Sequence, residues 1–498
     1  MDQPLIKEKK RSLKYNFIFS LISQILNLIT PLITAPYLAR VLHEVGTGQY
    51  SYSISIVTYF MLFANLGFDI YGQRQIAGCL EDEEAKSKVF WEIFILKSGL
   101  SMVSLAVLFG VLFTVGFGEN YDSIIFVLAF QILSVPIDIQ FLFRGEERFA
   151  SLAFRTVVIK LLMIAGIFLF VKQESDVIKY AICVTVVTIF SVLILWFSLS
   201  KSIKIVSIKK LKIFRHFIPA LLIFLPTVAT SIYTIFDKTM IGLLASNPDY
   251  ENGCYEQAYR INSFALILIT VMTSIMISRN SRDFSKGEMD KVKSHLYFAS
   301  NYIWFIGIPL IVGFCVLSGN LSSWFLGEGY DKVPLLLQIM SARFILTGFS
   351  DMISAQLFIA IKKEKFTTIA SLIVAILNVV LNYFLIPKFG SVGAAIATTM
   401  TEFLLTFILV CFVIKNKYFS VKYVFKMSWK YIVASGIMFV PIYFMQRNMD
   451  YGILSFIAIT ITGFIVYAIT LMILRDSFFF NIVKSILIGL KKRIAKNR

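Results

Sequence analysis

Charge is scarce in this 498-residue chain: Asp, Glu, Lys and Arg make up 16% of it, against roughly 25% in ordinary soluble domains. With 57% hydrophobic residues and a mean hydropathy of +0.77, so little charge excludes the three or four water-soluble domains that the length alone would suggest. The five cysteines, Cys79, Cys183, Cys254, Cys315 and Cys411, share neither metal-ligand spacing nor a disulfide framework. The three histidines, His43, His216 and His295, lack metal-ligand spacing as well. No Walker-type phosphate loop and no G-x-S-x-G nucleophile elbow occurs. Neither an enzyme nor a cofactor is expected.

What the chain has instead is long apolar runs. About 20 residues cross a hydrocarbon core of roughly 30 Å as a helix, and such segments fall at 15–39, 49–70, 89–115, 124–143, 152–171, 178–200, 217–244, 255–278, 296–317, 333–361, 366–386, 391–414, 431–446 and 452–474. The expectation is an all-α polytopic membrane protein of about 14 transmembrane helices. A β-barrel would need alternating segments of about ten residues, and these are absent. The first apolar run shows no small-residue cleavage signature and is read as a retained helix. The thirteenth segment is short and holds Pro441; without it the C-terminus would move to the other face.

A formal charge of +18 raises the question of nucleic acid. With both termini inside, 37 of the 48 Lys and Arg residues lie at inner-face segments, about 6 lie outside and 5 lie within spans. That alternation orients a membrane protein and removes the nucleic-acid reading. Anionic inner-leaflet lipid is the expected neighbour of the inner loops. The basic cytoplasmic linker 201–216 joins two six-helix lobes, 1–200 and 217–414; two more helices follow in 415–474, then an amphipathic basic tail, 475–498, expected to lie at the interface. Pro31 and Pro36 in the first helix match Pro219 and Pro226 in the seventh, a pattern of bent helices in repeated transporters.

Charges inside hydrocarbon are costly, so the deep ones are expected in polar surroundings. Lys97 and Lys160 each lie about eight residues, or roughly 12 Å, from the inner face. Arg40 ends the first helix, Arg260 sits one or two turns into the eighth, and Arg343 is central in the tenth. Asp351 is too far along that helix to pair with Arg343 directly, whereas Glu402 is open to pairing with Arg343 or answering a cation. Asp237 and Lys238 suit an inter-helix salt bridge. Asp69 with Arg74, and Asp138 with Arg144, form two inner-face acid/base sets suited to bracing or gating; Gly67 and Gly72 beside the first permit close approach. Basic groups outnumber acidic ones in the spans, which suits an anionic substrate such as a phosphorylated lipid head group. A sodium or proton pathway would need only one or two of the acids.

Two stretches, TPLITAPYLARVLHEVGTGQYSYSISIVTYFMLFANLGFDIYGQRQIA at 30–77 and LNYFLIPKFGSVGAAIAT at 381–398, resemble the polysaccharide-transporter branch of the multidrug/oligosaccharidyl-lipid/polysaccharide exporter superfamily, the Wzx-like O-antigen flippases. DIQFLFRGEER at 138–148 and IYTIFDKTMIG at 232–242 are similar to it too. The resemblance implies two six-helix lobes around a central cavity, alternating access, and an undecaprenyl-diphosphate-linked oligosaccharide as substrate. It implies a bacterial cytoplasmic (inner) membrane location, and polysaccharide polymerase and chain-length machinery as partners. Arg40, Lys97, Lys160, Arg260 and Arg343 are the candidates to meet the diphosphate; Asp69, Arg74, Asp138, Arg144, Asp237, Lys238, Asp351 and Glu402 are the candidates for gating or for coupling to sodium or protons. A cation-coupled multidrug exporter and a non-transporting scaffold of a glycan assembly complex stand as alternatives.

Overall fold

A computed structural model describes residues 3–199 and 203–496, with side chains for all of these except 3–25, 27–28, 150, 208, 225–234, 274–275, 486–487 and 489–496. The expected linker therefore begins, and the expected tail ends, outside the described residues, and the Pro226 side chain is outside them too. Regular structure among the described residues is entirely helical, as it must be where lipid offers the backbone no hydrogen-bond partner. The chain forms two compact units, 1–256 and 257–498.

In the first unit, α1 (Gln3–Asn65) carries the first two expected crossings, with the chain kinked at His43 (φ 51°, ψ −173°) between them. Gly67, in the left-handed region at φ 75°, turns the chain into α2 (Phe68–Ala77). Then come α3 (Glu83–Thr114), α4 (Glu119–Ala129), α5 (Ser134–Ile137), α6 (Gln140–Gly145), α7 (Phe149–Phe170), α8 (Val177–Phe197), α9 (Phe217–Leu244) and the start of α10 (Pro248–Ser285). The second unit continues with α11 (Met289–Leu326), α12 (Val333–Ser341), α13 (Arg343–Asp351), a π-helical segment (Met352–Phe358), α14 (Glu364–Phe389), α15 (Ser391–Asn416), α16 (Val421–Met427), α17 (Trp429–Asn448), α18 (Ile453–Ile473) and α19 (Ser477–Lys496).

Twelve of the described helical stretches are long and apolar enough to cross a membrane. This count takes Ile29–Ala77 as one stretch although it holds two expected segments, and it omits α9, whose side chains are described only in part. The thirteenth expected segment is a single helix, α17, with Pro441 inside it.

Side-chain pairs show which ends share a face. In the first unit Lys86 meets Glu146 at 2.9 Å and Trp91 donates to the Lys204 carbonyl, so the ends near 86, 146 and 204 lie together. In the second, Lys430 pairs with Asp476 at 3.8 Å, joining the start of α17 to the chain leaving α18. Buried cores of each unit are aromatic and aliphatic, built around Phe68, Phe90 and Phe141 in one and Trp304, Phe344 and Phe358 in the other. Large apolar side chains such as Phe113, Phe197 and Phe464 are exposed at 71% or more, the outside expected of a chain solvated by lipid.

Candidate charged sites in the helical core

The fourth span is broken, and the break builds a site. Pro136 supplies no N–H and its ring crowds the preceding turn; α5 ends at Ile137, Asp138 is extended (φ −72°, ψ 102°), and α6 resumes at Gln140. Two carbonyls lose helical partners there and find others. Trp196 Nε1 donates to the Ile137 carbonyl at 2.8 Å, and Lys97 Nζ donates to the Asp138 carbonyl at 3.0 Å.

Lys97, 1% exposed, also pairs with Asp69 Oδ1 at 3.3 Å and lies 5.7 Å from the centre of the Phe141 ring. Asn65 Nδ2 donates to the second Asp69 oxygen at 3.1 Å. The Asp138 carboxylate accepts from the Gln140 backbone and side chain, and Arg155 Nη2 stands 3.8 Å away while donating to Ser191 Oγ at 3.1 Å. Arg144 donates to Gln140 Oε1 and is exposed, as is Arg74 at the end of α2. Asp69 and Asp138, assigned from the sequence to separate sets, are thus joined through Lys97. Arg155 escaped the sequence reading, which counted it with the inner loop. Its signal was available: a guanidinium inside an apolar helix, five residues before Lys160.

Toward the opposite end of the first unit, Asp237 and Lys238 take different partners. Tyr255 Oη donates to Asp237 at 2.5 Å, and Lys238 pairs with Glu256 at 2.5 Å. Beside them the second half of α1 crosses the start of α10 closely. A Cβ on Gly48 would lie 1.8 Å from the Asp249 carbonyl oxygen, and one on Gly253 1.9 Å from that of Glu44. Only glycine permits this separation at both points. Asp249 ties the crossing together, accepting from Tyr121 Oη at 2.6 Å and Gln49 Nε2 at 3.1 Å.

In the second unit Arg343 lies 3.7 Å from Glu402, both about 5% exposed, with its guanidinium 5.4 Å from the Tyr259 ring centre. Asp351 ends α13 immediately before the π-helical segment. Gln356 in that segment donates to Thr273 Oγ1, and its carbonyl accepts from Asn280, which also meets His295 Nδ1 at 2.8 Å. A non-α stretch following an aspartate therefore occurs in the fourth span of the first unit and again at Asp351.

Of the five candidate cations, Lys97 and Lys160 belong to the first unit with Arg40, which is exposed, and Arg260 and Arg343 to the second. Lys97, Arg155, Lys238 and Arg343 each face a carboxylate, so the spans are less cationic than a residue count suggests. Lys160, half-buried on α7, has neither a hydrogen-bond nor an ion-pair partner among the described residues.

A further cluster had no counterpart in the sequence reading. Glu92, 1% exposed on α3, accepts from the Lys212 backbone at 2.6 Å, from Arg215 Nη2 at 2.6 Å and from His216 Nε2 at 2.7 Å. Tyr71 Oη lies 2.8 Å from His216 Nδ1, and the Glu92 carboxylate on Nε2 favours the neutral tautomer with its proton there, to which Tyr71 donates at Nδ1. Lys204 continues the attachment, its N–H on Ser87 Oγ and its ammonium 3.0 Å from Glu83. The linker is thereby pinned along three turns of α3. Burial holds the His216 pKa below its usual value, with the Glu92 contact acting in the opposite direction. A depressed histidine pKa favours the docked linker above about pH 6.5, and that preference is lost as pH falls through the docked-state pKa. Amide exchange across 203–216 should accordingly quicken between about pH 7 and pH 5 beyond the intrinsic rate change, and His216→Gln should flatten the response. An unchanged pH profile in the variant would disprove the link.

Over 92% of this chain and 99% of the other, the fold is similar to that of "Lipid II flippase MurJ, inward closed conformation", at 19% identity and a TM-score of 0.74. An inward-facing multidrug resistance MATE family transporter of the MOP superfamily matches over 80% of this chain and 97% of the other, at 16% identity and a TM-score of 0.63. Together with twelve helical stretches long and apolar enough to cross a bilayer among the described residues, this fold is that of a multi-pass membrane protein. Residues 13–282 match the family described as polysaccharide biosynthesis protein, more than half of the chain, and the chain belongs to that family. Among curated relatives, a candidate O-antigen transporter of Escherichia coli is 24% identical over 82% of this chain and 98% of its own length. A candidate low-salt glycan biosynthesis flippase of Haloferax volcanii is 23% identical over 52% of this chain and 54% of its own.

Proposed function

We propose that this chain moves an undecaprenyl-diphosphate-linked oligosaccharide from the inner to the outer leaflet of a bacterial cytoplasmic membrane, by alternating access, with both termini inside. The relatives with O-antigen and glycan-flippase names support the class of cargo. The observation that carries the reading onto residues is Lys160, an ammonium in an apolar helix with no carboxylate beside it among the described residues, hence available to a diphosphate. In this reading Arg40, Lys97, Arg260 and Arg343 add to the anion path, and Asp351 and Glu402 are the places for sodium or proton coupling. Polymerase and chain-length machinery would receive the product.

Protein reconstituted in vesicles should expose a labelled polyprenyl-diphosphate glycan to the opposite leaflet. Absence of movement under both sodium and proton gradients, or drug transport without any effect on the glycan, would defeat the proposal. Lys160→Glu should slow movement by about tenfold or more at normal abundance, because it sets a negative charge in the anion path; Lys160→Arg should retain most of it. Normal flipping by the Glu variant would remove Lys160 from the path.

A further inference from the structure

Two hollows in the second unit share a wall. The first, about 620 Å³, is lined by Lys293, Lys417, Lys422, Tyr297 and Tyr418. The second, about 240 Å³, is an apolar groove lined by Trp304, Phe349, Phe403, Phe407 and Val410 among others. Phe419, Val421 and Phe425 belong to both. Basic and aromatic groups therefore stand at one end of a continuous surface and hydrocarbon at the other.

The local chain is built to hold this shape. α15 ends at Asn416, and Lys417 takes the left-handed conformation (φ 52°, ψ 36°), turning the chain back across the start of α11. Tyr297 Oη accepts from the Ser420 N–H at 3.0 Å, and Trp304 Nε1 donates to the Val424 carbonyl at 3.1 Å, so α16 is fixed against α11. Lys293 has Asp290 at 3.1 Å. Lys417 and Lys422 are exposed and have no ion-pair partner among the described residues, and no acidic side chain lines the pocket. Phe403, Phe407 and Phe425 are more than half exposed along the groove.

We propose that this surface is a binding site for an anionic phospholipid of the inner leaflet, its phosphate among Lys293, Lys417 and Lys422 and an acyl chain lying in the groove toward Phe403 and Phe407. Charge complementarity selects the lipid: a zwitterionic head group gains little from two lysines without counter-charges, and a soluble phosphate would leave the apolar half of the surface uncovered. The site involves none of the residues assigned to the anion path and stands independently of the transported cargo.

Full-length protein in nanodiscs of phosphatidylcholine would carry a trace of phosphatidylglycerol with a photoactivatable group near the end of one acyl chain. Crosslinks should map to peptides covering 403–410 and 419–425. The double variant Lys417→Gln, Lys422→Gln should reduce them roughly tenfold or more, while Lys362→Gln with Lys363→Gln, equally basic and on another loop, should not. Val410→Trp, which fills the groove with both lysines intact, should also abolish labelling. Equal labelling by a photoactivatable phosphatidylcholine, unchanged labelling in the lysine double variant, or displacement by inorganic phosphate alone would overturn the assignment.

Discussion

Asp69→Asn is expected to lower stability by about 3–5 kcal/mol, because it strands a buried ammonium. Lys97 is 1% exposed, and Asp69 is the carboxylate with which it pairs, its other contacts being the Asp138 carbonyl and the Phe141 ring. Neither can neutralise a full charge. The reciprocal change, Lys97→Met, should cost less, since the Asp69 side chain is 34% exposed and water can reach it. Combining the two should restore much of the lost stability by replacing an ion pair with nearly isosteric neutral groups. Detergent-solubilised variants would be compared by thermal melting and by abundance in the membrane. A double variant no better than Asp69→Asn alone would show that Lys97 is held by something other than this carboxylate.

Gly48→Ala or Gly253→Ala should part the crossing of α1 and α10. Each added methyl would fall within 2 Å of a backbone carbonyl oxygen, and backbone cannot rotate away as a side chain can. Overpacking of a tight contact costs about 1–3 kcal/mol, so the population in which these helices touch should fall roughly tenfold or more. Cysteines replacing Gln49 and Asp249, now joined by a 3.1 Å hydrogen bond, offer the readout: their crosslinking should drop in either alanine variant. Undiminished crosslinking would mean that the helices accommodate the methyl by a shift along their axes.

The helices themselves were legible because lipid imposes one rule on every residue of a span: an apolar run of about 20 is enough to announce it. The kink within α1 was less so, as nothing about His43 resembles a glycine, yet it holds a positive φ. Single charges such as Lys97 and Arg343 were conspicuous against apolar neighbours, and the Glu402 partner of Arg343 was open from its central position. Other pairings were hidden. Lys97 meets Asp138 through a backbone carbonyl freed by a break near Pro136, and no side-chain count reveals a backbone acceptor. Glu92 was overlooked for a different reason. It lies near the start of a long helix, where a charge is unremarkable, and its partners arrive from a segment about 120 residues later.

The docked linker has a consequence for biosynthesis. Its anchors, Tyr71, Glu83, Ser87, Trp91 and Glu92, all precede residues 203–216 in the chain. Every anchor has therefore left the ribosome before the segment itself emerges, and it can find its place before α11 or any later helix has been translated. Vectorial synthesis then lets the linker be attached to α3 before the second unit enters the bilayer, so the contacts of Glu92 are open to forming during assembly and are not confined to the finished fold.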